Sequence, residues 1–515
     1  MNTSKLLLLA PATWAVIGAA NAQDITSAYF LSNLTTQGTA RSMGFGNALG
    51  SIGGDYSSAS VNPAGLGIYR SSEISITPTL RMNGTRSAYS GTETFDNNVR
   101  FNFNSFSMVF TDAPRGKRYE RRNWKAVSFA FGMNRVADLN RNYTYSGVNY
   151  NNSITQVFES DANQYPGDAT SGVASNYPGH LGWESYLIDK IGQDSFRTIV
   201  PFGGGIAQTK TVEERGRVNE YTLSLGGNYK EELMLGVTLG IPSVRYSLTS
   251  EYTETLAPGN NEPNTAGFSS LRQTHKIDIK GVGVNLKVGA IYKVNNNVRV
   301  GAAIHSPSYY ALNDTYSPSL YSTVNGTNHQ LTPGNQMTQY NEFNYGLITP
   351  WRGILSASYI MKGIGFITAD YEYANYGLIR FDYPLASDGT NSYQSEQTAI
   401  NQSIKNSYQS TSNFRLGAEA LLTKYFMARA GFGYYSNPFK GTGLSGQRMD
   451  FSAGLGFRSN GFFTDIAFVH SAYSIVNQPY DIDYNYVLSS GPTAIPTATT
   501  DFSLNNVAIT FGVKF

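Results

Sequence analysis

The sequence predicts an all-β fold, a transmembrane antiparallel β-barrel of about 14 strands whose lumen is filled by the residues ahead of the first strand. Three observations predict it: an export leader at the start, alternation of polar and apolar residues from Glu73 onward, and a final aromatic residue, Phe515. A spanning strand satisfies its backbone only by pairing with neighbours, so the expected signal is alternation over roughly ten residues between turn-like segments.

The leader comes first. Lys5 is followed by an apolar run from Leu6 to about Ala19 and then by Ala20-Asn21-Ala22, a small-x-small cleavage pattern. The run is shorter than the roughly 20 residues a helical span needs. The expected organisation is a signal peptide over 1–22, a plug over 23–70 and a barrel with long outer loops over 71–515.

Composition narrows the function classes. With no Cys there is no thiol catalysis, disulfide framework, thiolate metal site or lipidated terminus. The formal charge of +2 drops to +1 without Lys5, which supplies no field for nucleic acid. Only 14% of residues are charged, beside 36 Tyr, 28 Phe and 52 Gly, a composition suited to twisted sheet with tight turns.

Alternation then gives the strands in order. Ile74, Ile76, Leu80 and Met82 mark the first. Phe101, Phe103, Phe106, Met108 and Phe110 mark the second, with a slip of phase at Ser105 that predicts a bulge. Val127 to Met133 form the third, Tyr221 to Leu225 the fourth, and Leu233 to Ile241 the fifth, whose phase changes after Pro242. Ile277 to Val288 form the sixth, Val298 to Ile304 the seventh, Leu355 to Tyr359 the eighth and Ile367 to Tyr373 the ninth. Phe414 to Leu422, Phe426 to Tyr434, Met449 to Phe457 and Phe462 to Phe468 follow. Val507 to Phe515 close the count, a terminal strand of the kind the outer-membrane assembly machinery recognises. An even count puts both chain ends on the periplasmic side.

The connections fit. Short links near Glu231, Asn296, Lys362, Lys424 and Asn460 alternate with long polar ones, and Thr111 to Arg122 makes a longer basic turn. The longest outer segment, about 146–217, carries a potentially helical piece with Trp183, Tyr186, Leu187 and Ile188. Inward Arg299, Asp370, Glu372, Arg415, Glu419, Arg429, Asp450 and Asp465 are expected to pair and to seat the plug, because a cation facing the bilayer midplane costs roughly 2–4 kcal/mol.

Residues 24–69 do not alternate. From Gln37 they include Gly38, Arg41, Gly44, Ala48, Asp55, Ser58, Ala59 and Asn62-Pro63-Ala64-Gly65-Leu66. This run resembles the N-terminal hatch of the FadL/TodX family of outer-membrane hydrophobic-compound and long-chain fatty acid transporters. Asp370-Tyr371-Glu372-Tyr373, Arg429-Ala430-Gly431-Phe432 and Asn437-Pro438 add to the resemblance. It implies passive passage of a small hydrophobic ligand through a hatch-plugged barrel in the outer membrane of a Gram-negative bacterium, with Asn62, Pro63, Ala64, Gly65 and Leu66 as hatch residues. It also implies an outer hydrophobic groove and a sideways exit beside a kinked third strand, here at Gly132, Asn134 and Arg135.

Two other readings follow from relatives of that family, a haem receptor and a secretion-system shuttle or scaffold. His180 and His329 are the outer-loop candidates for an axial haem ligand; no cofactor is otherwise expected. The five His show no metal-ligand spacing. His305-Ser306 and His470-Ser471 point to opposite faces of a strand, so catalysis is not indicated. Gly44-x-Gly46-x-x-Leu49-Gly50 lacks the strand before it and the Lys-Ser/Thr after it that a phosphate loop needs.

Overall fold

The computed structural model describes residues 25–515 apart from 115, 172–176, 334–340, 385–392, 442–445 and 490. The signal peptide and Arg115 of the basic turn lie outside the described residues.

A closed antiparallel barrel of 14 strands forms the wall. We number them β1 (Glu73–Tyr89), β2 (Thr92–Asp112), β3 (Trp124–Asp138, continued by Arg141–Asn149), β4 (Ile206–Tyr229), β5 (Leu233–Leu256), β6 (Phe268–Lys293) and β7 (Val298–His305, continued by Tyr309–Val324). Then come β8 (Asn341–Ile348 and Arg352–Met361), β9 (Gly365–Asn375, with Arg380–Asp382), β10 (Ser410–Leu421), β11 (Phe426–Tyr435), β12 (Arg448–Ser459), β13 (Phe462–Asn477) and β14 (Ala498–Lys514). Each strand anticipated from alternation falls on one of these. The barrel closes where β1 pairs with β14, Glu73 opposite Lys514. Among the described residues no helix is long and apolar enough to cross a membrane.

Outward positions in the lower part of the wall are apolar and exposed, as in Leu235, Val237, Leu239 and Ile241 of β5 and Val282, Val284, Leu286 and Val288 of β6. They form a belt that only a lipid environment would cover. The bulge expected at Ser105 is present: Thr77 faces Ser105 and Pro78 faces Phe103, which leaves Asn104 unpaired in that ladder.

The change expected after Pro242 has a different cause. No register shift accompanies Pro242, yet Val244 and Tyr246 are buried where Ile241 is exposed. The ladder keeps its phase and the surroundings change sides. Above the belt the outside of β5 and β6 is polar and the inside holds a packed core, so on these strands apolar residues move to the inward positions. Ile279 and Val282 on β6 repeat the switch.

The strands therefore run well past the belt, as far as the 26 residues of β6. The long outer segment shrinks to 150–205 and holds three helices among the described residues; after α4 (Lys117–Arg121) of the basic turn, the last of them is α7 (Pro178–Glu184). Trp183 lies on α7, whereas Tyr186 adopts φ 57° and Ile188 begins a short hairpin with Phe196–Thr198. With α5 (Thr155–Gln164), α6 (Pro166–Ala169) and the chain around Tyr480 and Ile482, this segment packs an apolar core of its own. That core caps the outer mouth where an open groove was expected.

The residues ahead of β1 fill the lumen. They form α1 (Ile25–Ser32), α2 (Ala40–Gly44), α3 (Ser58–Val61) and a 3-10 turn at Pro63–Ile68. Of these, α1 sits among Val136, Leu139, Val218, Val244, Tyr310, Tyr376 and Tyr408.

Candidate functional site: hatch and lateral gap

Asn62 organises the hatch through short-range geometry. It precedes Pro63, which takes the first position of the 3-10 turn where no donor is needed. Its Oδ1 accepts from Ala64 N at 3.1 Å, and its Nδ2 donates to Gly50 O at 2.6 Å. Pro63, Ala64, Gly65 and Leu66 are buried.

The wall meets this backbone with glycines. A Cβ on Gly236 would stand 2.2 Å from the Pro63 carbonyl carbon, one on Gly289 1.9 Å from Asn62 Oδ1, and one on Gly301 2.2 Å from Gly50 O. Gly417 and Gly431 give Phe45 and Gly46 the same room. Main chain thus packs directly on main chain, which any side chain at these sites would prevent.

Ion pairs hold the other side. Arg429 donates to Glu419 and to Asp465, each at 2.7 Å, and Glu419 also accepts from Arg41 of the hatch at 3.2 Å. Asp370 accepts from Gly50 N at 3.1 Å, and Glu372 accepts from Arg415 at 3.1 Å. Arg299 reaches Ile52 O at 3.4 Å. Asp450 differs, pairing with Arg448 of its own strand at 3.1 Å. These networks pair charges that would be costly to bury alone.

The third strand parts from its neighbour close to the residues that the family resemblance assigns to a kink. The β2–β3 ladder runs from Asp112 opposite Val127 to Ser105 opposite Asn134 and stops. Beyond it β3 pairs only with β4, with a register shift between Arg135 and Ala137. Gly132 allows the close approach at this bend, since a Cβ there would stand 2.2 Å from Phe106 O and 2.8 Å from Tyr56 Oη.

Asn134 joins the gap to the hatch. Its Oδ1 accepts from Ser105 Oγ at 2.9 Å, and its Nδ2 donates to Ser60 Oγ of α3 at 3.1 Å. Thr35 and Gln37 N donate to the carbonyls of Val136 and Arg135 at 2.7 and 2.8 Å. The segment between α1 and α2 therefore runs along the third strand at this point. Arg135 itself pairs with Asp138 at 3.3 Å, which Arg81 also holds at 2.9 Å.

A cavity of about 480 Å³ opens at the gap, lined by Arg100, Phe101 and Asn102 of β2, Arg135, Arg217, Tyr246 and Lys280 among others. Pockets for small ligands span roughly 300–1,000 Å³. Inside the lumen, beside Ser60, Lys287 and Arg352, the described residues leave only about 40 Å³. The lumen above the hatch is filled by α1.

The two candidate haem ligands do not come together. His180 is buried in the cap at 1% exposure, and His329 on the β7–β8 hairpin packs tilted against Tyr186, ring centres 4.4 Å apart. Among the described residues no group of three His, Asp or Glu could hold a metal ion. Sequence reasoning missed Ser60, Ser105 and the wall glycines. Gly236, Gly289 and Gly301 each stand between two apolar outward residues, a pattern that marks a close inward contact.

No family model and no curated protein sequence matches the chain. Solved structures do. A FadL homologue of Pseudomonas aeruginosa gives a TM-score of 0.54 at 13% identity over 92% of this chain and 98% of that one. The toluene transporter TodX of P. putida gives 0.51 at 12% over 93% and 98%. The toluene transporter TbuX of Ralstonia pickettii gives 0.50 at 13% over the same shares. With its 14 antiparallel strands and a lumen filled by the residues ahead of the first, the chain has the fold of the FadL-type barrels.

Proposed function

We propose that this protein passes small hydrophobic molecules passively across the outer membrane of a Gram-negative bacterium and does no chemistry on them. The observation that carries the reading is the break in the β2–β3 ladder at Ser105 and Asn134, joined to the hatch through Asn134 and Ser60. An unpaired strand edge at the upper rim of the apolar belt costs a closed wall its ladder hydrogen bonds, and passage of a ligand there gives the opening a use. The solved structures of like fold described as toluene transporters support the same class of cargo. A long-chain fatty acid-like amphiphile is the finer reading, since its carboxylate would suit the cationic lining of the cavity. Displacement of α1 from the lumen and a shift of Asn62 would open the path, and burial drives entry at roughly 25 cal/mol per Å² of apolar ligand surface. Phe515 would present the terminal strand to the barrel assembly machinery, and membrane lipid would cover the apolar belt.

The test is uptake of radiolabelled toluene and of radiolabelled oleate by cells lacking their own transporter. The chain is expected to raise uptake of at least one, and an Asn62→Ala, Pro63→Ala double variant that inserts normally is expected to change it. Uptake at the empty-vector level for both would overturn the reading.

A further inference from the structure

The outward face of β4, β5 and β6 carries a row of cations along the edge of the cavity at the gap. Arg217 stands directly opposite Arg245, and Arg245 directly opposite Lys280. All three are exposed. Like charges in directly opposed positions repel, so the row weakens the sheet unless an anion lies across it. Among the described residues none of the three makes an ion pair, whereas nearby Arg100 and Arg215 both engage Glu213. One other carboxylate, Asp278, lines the same cavity.

Height identifies the anion. Tyr221 opposite Ile241 is the top of the belt on β4 and β5, and Val282 tops it on β6. On β6 the row begins at Lys280, the next outward position after Val282, roughly 7 Å higher at the rise of a strand. That is where acyl chains end and headgroups begin. Guanidinium groups favour phosphate, which they bind in a bidentate fork.

We infer that Arg217, Arg245 and Lys280 bind the phosphates of a phosphorylated glycolipid of the outer leaflet, whose acyl chains lie on the belt beneath them. The lipid seats beside the unpaired edge of β2 and shields the gap from the aqueous side. This inference rests on the outward orientation of the row in the outer membrane and does not depend on what the barrel transports.

The full chain extracted in detergent from cells containing such a glycolipid is the test material. Glycolipid phosphate retained per protein, measured by mass spectrometry, is expected to fall on the order of tenfold in an Arg217→Ala, Arg245→Ala, Lys280→Ala variant. A Lys117→Ala, Arg118→Ala, Arg121→Ala variant at the opposite rim is expected to keep it. Should the first variant not fold, the wild-type chain decides: added phosphorylated glycolipid raises its heat-unfolding midpoint, while dephosphorylated glycolipid, phosphatidylglycerol micelles and inorganic phosphate do not. Full retention by the folded triple variant, or an equal rise with dephosphorylated glycolipid or phosphatidylglycerol, overturns the inference. Uptake measured on the same variants reports separately on transport.

Discussion

Asn62 shows how much one side chain can hold. Its hydrogen bonds with Ala64 N and Gly50 O fix the turn at Pro63 and the chain at Gly50 together, and longer ones reach the wall carbonyls of Ala290 and Ala302. Asn62→Ala removes them all and leaves the buried Gly50 carbonyl short of a donor, so we expect a loss of about 1–2 kcal/mol in hatch stability. Planar-bilayer recordings should show it as more frequent open events. The glycine seats give a sharper expectation. Gly301→Leu places a side chain where Gly50 O already stands, and the hatch must move. Its conductance should rise, whereas Val300→Leu on the lipid-facing side should leave it unchanged. Asn-Pro-Ala was legible in the sequence because its signal is local. Ser60, Glu220 and Asn134 meet across more than seventy residues of chain, and nothing in alternation reports such a meeting.

At the scale of elements, the cap has its own response to pH. Burial pushes the Asp161 carboxyl of α5 up to about 6 from an ordinary 3.8, helped by nearby Asp168 and opposed by the hydrogen bond from Gly179 N. The folded cap thus disfavours the ionised form. Stability rises as pH falls through 6 and the gain is complete near 3.8, about 3 kcal/mol in the limit. Hydrogen-exchange protection across 155–184, corrected for intrinsic rate, should be about tenfold greater at about pH 5 than at about pH 7.5. Asp161→Asn should abolish that difference. The Pro242 region teaches a related lesson about elements. Alternation records which neighbour wants the apolar side, so a strand that leaves lipid and enters a polar zone swaps apolar faces without slipping. Read alone, the swap at Ile241 and Val244 looks like a change of register. The strands were legible as far as the belt reaches, and their extensions above it were hidden for the same reason.

At the scale of the whole molecule the plug is joined to the interrupted third strand through Ser60 and Asn134, and the cap follows directly on that strand. Strand count and closure were readable, because lipid imposes them on residue type, whereas the kink near Gly132 came only from the family resemblance. A plug was expected, but not that residues 25–32 would form a helix within it, since they lack a strong amphipathic pattern. Asn102 Nδ2 and Asp138 Oδ2 face each other across the gap at 3.3 Å, and the chain has no cysteine. An Asn102→Cys, Asp138→Cys variant can therefore be locked by oxidation and freed by reductant in the same cells. The most direct measurement is uptake of the hydrophobic probe in those two states: we expect the oxidised barrel to stop transport and reductant to restore it. Equal uptake in both states would contradict exit through the side of the wall.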